Sequence, residues 1–150
     1  YLDHLAQGGD LLPGAEELCR ALAPCCTLAL VTNGVGSAQR GRFARSPLHT
    51  LIPWLFISEE IGYAKPHPAF FQAVLDRLGI TDRSRAVVVG DNILTDIGGG
   101  RAAGLDTIWY NPWGLDRRDG IEPTWEVSSY EQIRAIILPG EHRQSANELP

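Results

Sequence analysis

The sequence predicts an α/β fold in which a parallel sheet is covered by helices on both faces. Four short apolar runs have the length of strands, and segments with helical spacing lie between them. The apolar runs are continuous rather than alternating, which is typical of strands buried on both faces. Strands that alternate with helices form parallel βαβ units with right-handed crossovers. The 150 residues suit a single domain.

The elements follow one another in a regular order. The predicted strands cover residues 28–31, 54–57, 86–89 and 107–110, and the predicted helices cover residues 13–22 and 68–78, followed by a last helix after Ser129. Pro13 lies near the first turn of the first helix, and Gly79 is a natural residue to end the second. Ser129 and Gln132 have the spacing of a capping box. Three successive glycines at 98–100 lie in a helical segment and suggest a close approach to another backbone.

Composition limits the classes of function. The chain has 13 Lys+Arg against 18 Asp+Glu, a net charge of −5, and no Lys/Arg-rich run, which argues against a nucleic-acid binder held by general electrostatic attraction. No stretch reaches the ~20 apolar residues of a membrane span. Cys19, Cys25 and Cys26 are odd in number and lack metal-ligand spacing. Their pattern favours a reducing compartment, the cytoplasm.

Polar residues cluster where the predicted strands end. In open α/β sheets, ligands bind beyond the carboxyl ends of the strands. The candidate site residues are Thr32, Asn33, Gly34, Lys65, Asp91, Asn92 and Asp96. Thr32 and the nearby backbone amides can donate to phosphoryl oxygens, and Lys65 can neutralise their charge. Asp91 offers the hard oxygen that Mg²⁺ prefers, with substrate phosphate and water completing its coordination.

Each of these residues also has a simpler explanation when taken alone. The Asn33–Gly34 dipeptide is common in turns, Lys65 before a proline can be a solvated lysine, and Asp91 and Asp96 can stabilise a helix N-terminus. A second alternative is dinucleotide binding, since Gly34 and Gly36 begin a G-x-G-x-x-G pattern. Its third glycine is replaced by glutamine, and dinucleotide binding would leave Lys65 and Asp91 unexplained. The full set favours a phosphate-and-metal site.

The order and spacing of these residues resemble the motifs of the haloacid-dehalogenase-like (HAD) phosphatase superfamily. Thr32-Asn33-Gly34 resembles its second motif, Lys65-Pro66 its third, and Gly90-Asp91-Asn92 with Asp96 its fourth. The resemblance extends from about Leu12 to Leu138. Residues 57–66 and 120–125 are further similar to the bacterial pyrimidine 5′-nucleotidase branch. Dehalogenases of the superfamily resemble Ser-Ser-Asn where this chain has Gly90-Asp91-Asn92, so Asp91 favours Mg²⁺ and phosphate.

The resemblance implies a Rossmann-like three-layer α/β/α core and hydrolysis of a small phosphate ester, a nucleoside monophosphate, through an aspartyl-phosphate. Thr32 and Lys65 would be catalytic, and Thr32, Asn33, Gly34 and Lys65 would bind phosphate. Asp91 would hold Mg²⁺, with Asp96 behind it and Asn92 as an additional candidate. A HAD phosphatase for another phosphate ester, or a non-catalytic module that binds phosphate or nucleotide, is the alternative.

One family motif is missing from the sequence. The family's nucleophile and its acid–base partner lie in an Asp-x-Asp motif after the first, central strand, and these 150 residues contain no Asp-x-Asp. The chain also has no methionine. We therefore expect an N-terminal truncation that removed the central strand and most of a cap domain, with a natural, inactive homologue as the alternative. Residues 1–10 would be a remnant of the cap, 11–138 a partial core, and 139–150 a loose polar tail.

Overall fold

A computed structural model describes residues 13–140 and shows two parallel sheets packed among helices. The first sheet pairs β1 (Ala29–Thr32) with β2 (Trp54–Ile57). The second has the order β3-β4-β5, from strands Val87–Gly90, Asp106–Tyr110 and Trp125–Val127. Every pairing is parallel. The predicted cap remnant at 1–10 and residues 141–150 of the predicted tail lie outside the described residues.

Six α-helices within residues 13–140 connect and cover these strands. They are α1 (Ala15–Leu22), α2 (Gly36–Arg45), α3 (Ser58–Ile61), α4 (Pro68–Leu78), α5 (Gly98–Ala102) and α6 (Tyr130–Ile137). Two 3₁₀ turns (Pro47–Thr50 and Arg83–Arg85) and a π-helix (Ile93–Ile97) complete the elements. In the part of the chain that the structure describes, no helix is long and apolar enough to cross a membrane.

The predicted elements are confirmed with small shifts of their ends. The strand at 54–57 and helix α4 have the predicted bounds, and the other predicted strands move by one residue. Gly79 ends α4 with a φ of 69°, a left-handed conformation that glycine adopts without strain. The side chains of Ser129 and Gln132 form the predicted capping box of α6. Helices α2 and α3 and strand β5 were not predicted.

Two hydrophobic clusters lie on opposite faces of the strands. On one face, Leu30 and Ile108 pack with residues of α1 and α6, among them Ala15 and Ile133. On the other face, Phe56 and Val88 pack with residues of α4, among them Phe70. Successive residues of β1 therefore contact different clusters, as expected for side chains that alternate across a strand. The predicted helix–sheet–helix layering is confirmed.

The two sheets are not hydrogen-bonded to each other. Strand β1 pairs with β2 and strand β3 with β4, and no strand within residues 13–140 pairs with their other edges. The family resemblance places a central strand between these two strands. The fold therefore has the expected HAD-like layout without that strand among the described residues.

The glycines at 98–100 pack closely against the rest of the fold, as the sequence suggested. A Cβ atom on Gly99 would lie 2.9 Å from the Cα of Pro66, and one on Gly100 would lie 2.8 Å from the Thr107 side chain. Helix α5 thus contacts the backbone that follows Lys65, while its other side contacts the sheet. The glycines bring these two regions together.

Candidate functional site

Lys65 forms a buried ion pair at the centre of the candidate site. Its Nζ donates to Oδ1 of Asp96 at 2.6 Å and to the backbone oxygen of Val31 at 3.3 Å. The side chains of Lys65 and Asp96 are only 6% and 4% exposed. A solvated lysine is therefore excluded. Because Val31 belongs to β1 and Asp96 follows β3, the ammonium group connects the ends of the two sheets.

Thr32 is the last residue of β1, and Asn33 and Gly34 directly follow it. Thr32 is buried, and its Oγ1 donates to the Asn33 carbonyl at 3.2 Å. The Gly34 backbone N–H donates to Oγ of Ser58 at 3.0 Å. The Asn33 side chain binds the backbone of Lys65 through both of its polar atoms. Asn33 can therefore offer its backbone, rather than its side chain, to a phosphate.

The fourth candidate motif is ordered by the turn that follows β3. Asp91 is half-buried, and its backbone oxygen accepts a hydrogen bond from Nε1 of buried Trp109 at 2.9 Å. Oδ2 of Asp96 accepts from the Asn92 N–H at 3.2 Å. Oδ1 of Asn92 accepts from the N–H groups of Leu94 and Thr95, so it caps the π-helix. A role for Asn92 toward a metal stays a prediction.

Gly90 allows Asp96 to approach the end of β3. A Cβ atom at Gly90 would lie 2.4 Å from the Asp96 carboxylate, so any larger residue would displace that side chain. Both carboxylate oxygens of Asp96 have partners, Oδ1 with Lys65 and Oδ2 with Asn92. Asp96 therefore supports Lys65 directly, and its role behind a metal at Asp91 stays a prediction.

The structure adds three polar residues that the sequence analysis did not single out. Ser58 accepts from Gly34, Nε2 of Gln39 donates to the Asn33 carbonyl at 3.2 Å, and Glu59 accepts from the Gly36 backbone N–H. Ser58 directly follows β2, so the strand-end rule that found Thr32 would also have found it. Gln39 lies on an unpredicted helix, and no local signal indicated its contact.

The alternative of dinucleotide binding fails at the start of α2. A pyrophosphate would need the free N–H groups of that helix N-terminus. The Glu59 carboxylate already accepts from the Gly36 N–H there and would repel a second anion. Glu60, beside it, pairs with Arg40, and that hydrogen bond lowers the pKa of the Glu60 carboxyl. The N-terminus of α2 is therefore capped by the Glu59 carboxylate of the same chain.

Tyr110 brings an aromatic group within electrostatic range of Asp91. Burial raises the pKa of the Tyr110 phenol, and the Glu131 and Asp91 carboxylates raise it further. The ring stacks on Tyr130 at 4.8 Å between centroids and contacts Trp113 edge-on at 6.2 Å. Trp113 is 56% exposed, in the loop that follows β4. Aromatic side chains thus border the acidic end of the site.

The donor set fits a magnesium ion that is completed by substrate. Among residues 13–140, no group of three or more His, Cys, Asp or Glu side chains is arranged to hold a metal. Mg²⁺ in phosphate-handling sites is commonly bound by one or two carboxylates, with phosphate oxygens and water as further ligands. Of the two aspartates at the site, Asp96 is already paired with Lys65. Asp91 is therefore the carboxylate that fits this role. It would supply only part of a coordination shell, with phosphate oxygens and water as the other ligands.

Comparison with known proteins supports the phosphatase motifs. A family model of haloacid dehalogenase-like hydrolases matches residues 2–104. The chain is 37% identical to the pyrimidine 5′-nucleotidase YjjG of Escherichia coli over 91% of its own length and 61% of that protein. It is also 37% identical to the pyrimidine 5′-nucleotidase PynA of Streptococcus pneumoniae, over 89% of this chain and 56% of that one.

A solved structure agrees with these matches. The HAD-hydrolase YfnB of Bacillus subtilis, crystallised with magnesium, is 34% identical and superposes with a TM-score of 0.83. The match covers 89% of this chain and 58% of YfnB. The chain thus spans less than two thirds of the length of each of these relatives. The buried lysine–aspartate pair, the strand-end motifs and these matches lead to one conclusion: the chain belongs to the haloacid dehalogenase-like hydrolases.

Proposed function

We propose that this chain carries the phosphate- and metal-binding part of a Mg²⁺-dependent phosphohydrolase that acts on nucleoside monophosphates. The observation that supports this most directly is the position of Lys65. Its ammonium group is held at the strand ends, where it binds the carbonyl of Val31, the residue before Thr32, and is paired with Asp96. Cations fixed at such a position stabilise charge that develops on a transferring phosphoryl group. The similarity to two pyrimidine 5′-nucleotidases supports the substrate class.

The residues of the candidate site have different roles in this proposal. Lys65 binds the phosphoryl oxygens. Oγ1 of Thr32 donates one hydrogen bond to them after its hydroxyl turns from the Asn33 carbonyl. The backbone N–H of Asn33 provides a further donor, while Gly34 binds Ser58 and shapes the turn. Asp91 holds Mg²⁺, which supplies positive charge to the phosphate when bound. Asp96 keeps Lys65 in place through their ion pair.

The covalent step requires a nucleophile that these 150 residues do not provide. In the proposed reaction an aspartate oxygen attacks phosphorus, and the ester oxygen leaves with a proton donated by the second aspartate of the same motif. That aspartate then takes a proton from the water that cleaves the aspartyl-phosphate and releases inorganic phosphate. No Asp-x-Asp motif occurs in the sequence. We therefore propose that the nucleophile comes from polypeptide outside these residues. The same observation supports the second candidate, a non-catalytic module that binds a phosphate ester.

A complementation assay distinguishes the two candidates. The 150-residue chain is assayed with Mg²⁺ and a panel of nucleoside monophosphates, alone and as a fusion behind the N-terminal part of the Escherichia coli nucleotidase. We expect buffer-level phosphate release from the chain alone and turnover from the fusion. Lys65→Ala and Asp91→Ala should each lower kcat of the fusion by roughly 100-fold or more, and Thr32→Val should lower it less.

The exposed Arg42 provides a control, because Arg42→Ala changes charge away from the strand ends and should leave turnover unchanged. A folded fusion without turnover that still binds nucleoside monophosphate would favour the non-catalytic module. Turnover by the chain alone that disappears in Asp91→Ala would contradict the missing nucleophile.

A further inference from the structure

The backbone of Lys65 lies in a segment without regular secondary structure. Residues 62–67 connect α3 to α4, and yet Lys65 must keep its ammonium group at 2.6 Å from Asp96. A lysine side chain is a flexible four-carbon chain, so a small movement of its Cα can be amplified at Nζ. Something must therefore hold the backbone of this segment.

The side-chain amide of Asn33 holds it. Oδ1 of Asn33 accepts from the Lys65 N–H at 2.9 Å, and Nδ2 of Asn33 donates to the Lys65 carbonyl at 3.0 Å. Both polar atoms of one side chain thus bind both backbone groups of one residue, 32 positions along the chain. A pair of such bonds fixes the orientation of the bound peptide groups as well as their distance.

Asn33 is itself fixed from two directions. Gln39 on α2 donates to the Asn33 carbonyl, and the next residue, Gly34, donates to Ser58 at the start of α3. Lys65 is also bound at its other end, because Nζ donates to the carbonyl of Val31. Lys65 is therefore attached at its backbone and at its ammonium group to residues only two positions apart, Asn33 and Val31.

We propose that Asn33 is a positioning residue, whose side-chain amide places the Lys65 backbone so that the ammonium group binds Val31 and Asp96. That this placement serves phosphate binding rests on the proposed function. The placement of Lys65 by Asn33 is independent of that function. Asn33 thus acts through Lys65 rather than through contact with phosphate.

The chain offers a direct probe of this placement, since Lys65 is the single lysine of the sequence. In a chain labelled with ¹⁵N-lysine, only one ammonium group contributes a signal. Ammonium protons of exposed lysines exchange rapidly with water, whereas hydrogen-bonded, buried ones exchange slowly. We expect a visible Lys65 ammonium signal in the unsubstituted chain.

Asn33→Ala removes both hydrogen bonds and should speed exchange of the Lys65 ammonium protons by roughly tenfold or more. The matched control is Asn111→Ala. Asn111, at the end of β4, binds both the N–H and the carbonyl of Leu115 in the same way, and the contacts found for it do not include Lys65. That variant loses a similar amide clamp and should leave the Lys65 signal unchanged.

A second variant keeps the proposal testable if Asn33→Ala does not fold. Asn33→Asp retains the side-chain shape and the acceptor for the Lys65 N–H but loses the donor to its carbonyl, so it should speed exchange by a smaller factor. Unchanged exchange in a folded Asn33 variant, or an equal change in Asn111→Ala, would overturn the proposal. The measurement needs neither substrate nor metal, so its failure is distinct from failure of the proposed function.

Discussion

At the scale of single residues, the site depends on two charges that are buried together. Removing a carboxylate or an ammonium from water costs several kcal/mol, which only close pairing and further hydrogen bonds can offset. Lys65 and Asp96 meet both conditions, with Val31 and Asn92 supplying the further hydrogen bonds. Neither charge is therefore stable at its position without the other.

This mutual dependence can be measured with a double-mutant cycle. Asp96→Asn and Lys65→Met each leave one buried charge unpaired and should lower the free energy of unfolding by about 3 kcal/mol. The double variant should lose less than either single variant, because no buried charge is left unpaired. Urea titrations of the four proteins give the comparison. Additive losses would show that the two charges do not stabilise each other.

A buried tyrosine should make stability fall at alkaline pH. Burial raises the pKa of Tyr130 to about 12, from an ordinary value of 10.0. The unfolded chain releases this phenolic proton near pH 10, while the folded chain retains it until about 12. The stabilisation is therefore complete below pH 10 and is lost as pH rises through this window, by roughly 1–2 kcal/mol.

Thermal melting between pH 9 and 12 provides the measurement, with Tyr130→Phe as the control. The substitution should flatten the fall in Tm, and the raised pKa of Tyr110 leaves a smaller residual slope. An identical pH profile in the two proteins would rule out Tyr130 as the source.

At the scale of elements, the sequence predicted those whose pattern is local. Helix α4 has an apolar stripe and a clear glycine stop, and both appear at the predicted positions. Helix α2 was missed because it contains two glycines and few apolar residues, so contacts of Gln39 and Phe43 with the rest of the fold stabilise it. Strand β5 has three residues, too few for a recognisable period.

The candidate site shows the same limit. The strand-end rule found Thr32 and Asp91, and spacing identified Lys65 and Asp96. The contact between Asn33 and Lys65 joins residues 32 positions apart in the sequence. An Asn-Gly pair is common in turns, so the sequence gives no sign that the Asn33 side chain has a distant partner. Such partners become visible only once the chain is folded.

The glycines of α5 allow a test at this scale. Gly99→Ala would place a methyl group 2.8 Å from the Phe71 ring and 2.9 Å from Pro66, and should lower the free energy of unfolding by about 1–3 kcal/mol. Gly41→Ala in α2 is the matched control, because its methyl group would approach only the Arg45 side chain, at 3.6 Å. That control should gain about 0.5–1 kcal/mol from better helix propensity. Stabilisation of both variants would contradict close packing at Gly99.

At the scale of the whole molecule, two sheets share their hydrophobic clusters but not a hydrogen-bond ladder. Leu30 of β1 and Ile108 of β4 belong to one cluster, so packing of side chains, rather than backbone hydrogen bonds, holds the two sheets together. Within residues 13–140, the edges of β1 and β3 that face away from β2 and β4 have no strand partner. Such edges readily pair with another chain.

We therefore expect the 150-residue chain to self-associate on its own. Sedimentation velocity over a range of concentrations should show species larger than the monomer, increasing with concentration. The fusion used in the activity assay is the control, because an added central strand would cover both edges and favour the monomer. A single monomer boundary for the 150-residue chain at every concentration would show that these edges are protected.

Because the single lysine is buried, its reactivity with amine reagents can be used to measure unfolding. Reagents that acylate amines should label the folded chain at its α-amino group alone, because Lys65 is 6% exposed on its side chain and paired with Asp96. Each molecule that unfolds exposes a second amine and gains a second label. Intact-mass spectrometry after a brief pulse of reagent then separates folded from unfolded molecules by the mass of one acyl group, and the ratio of the two peaks follows the unfolding equilibrium directly.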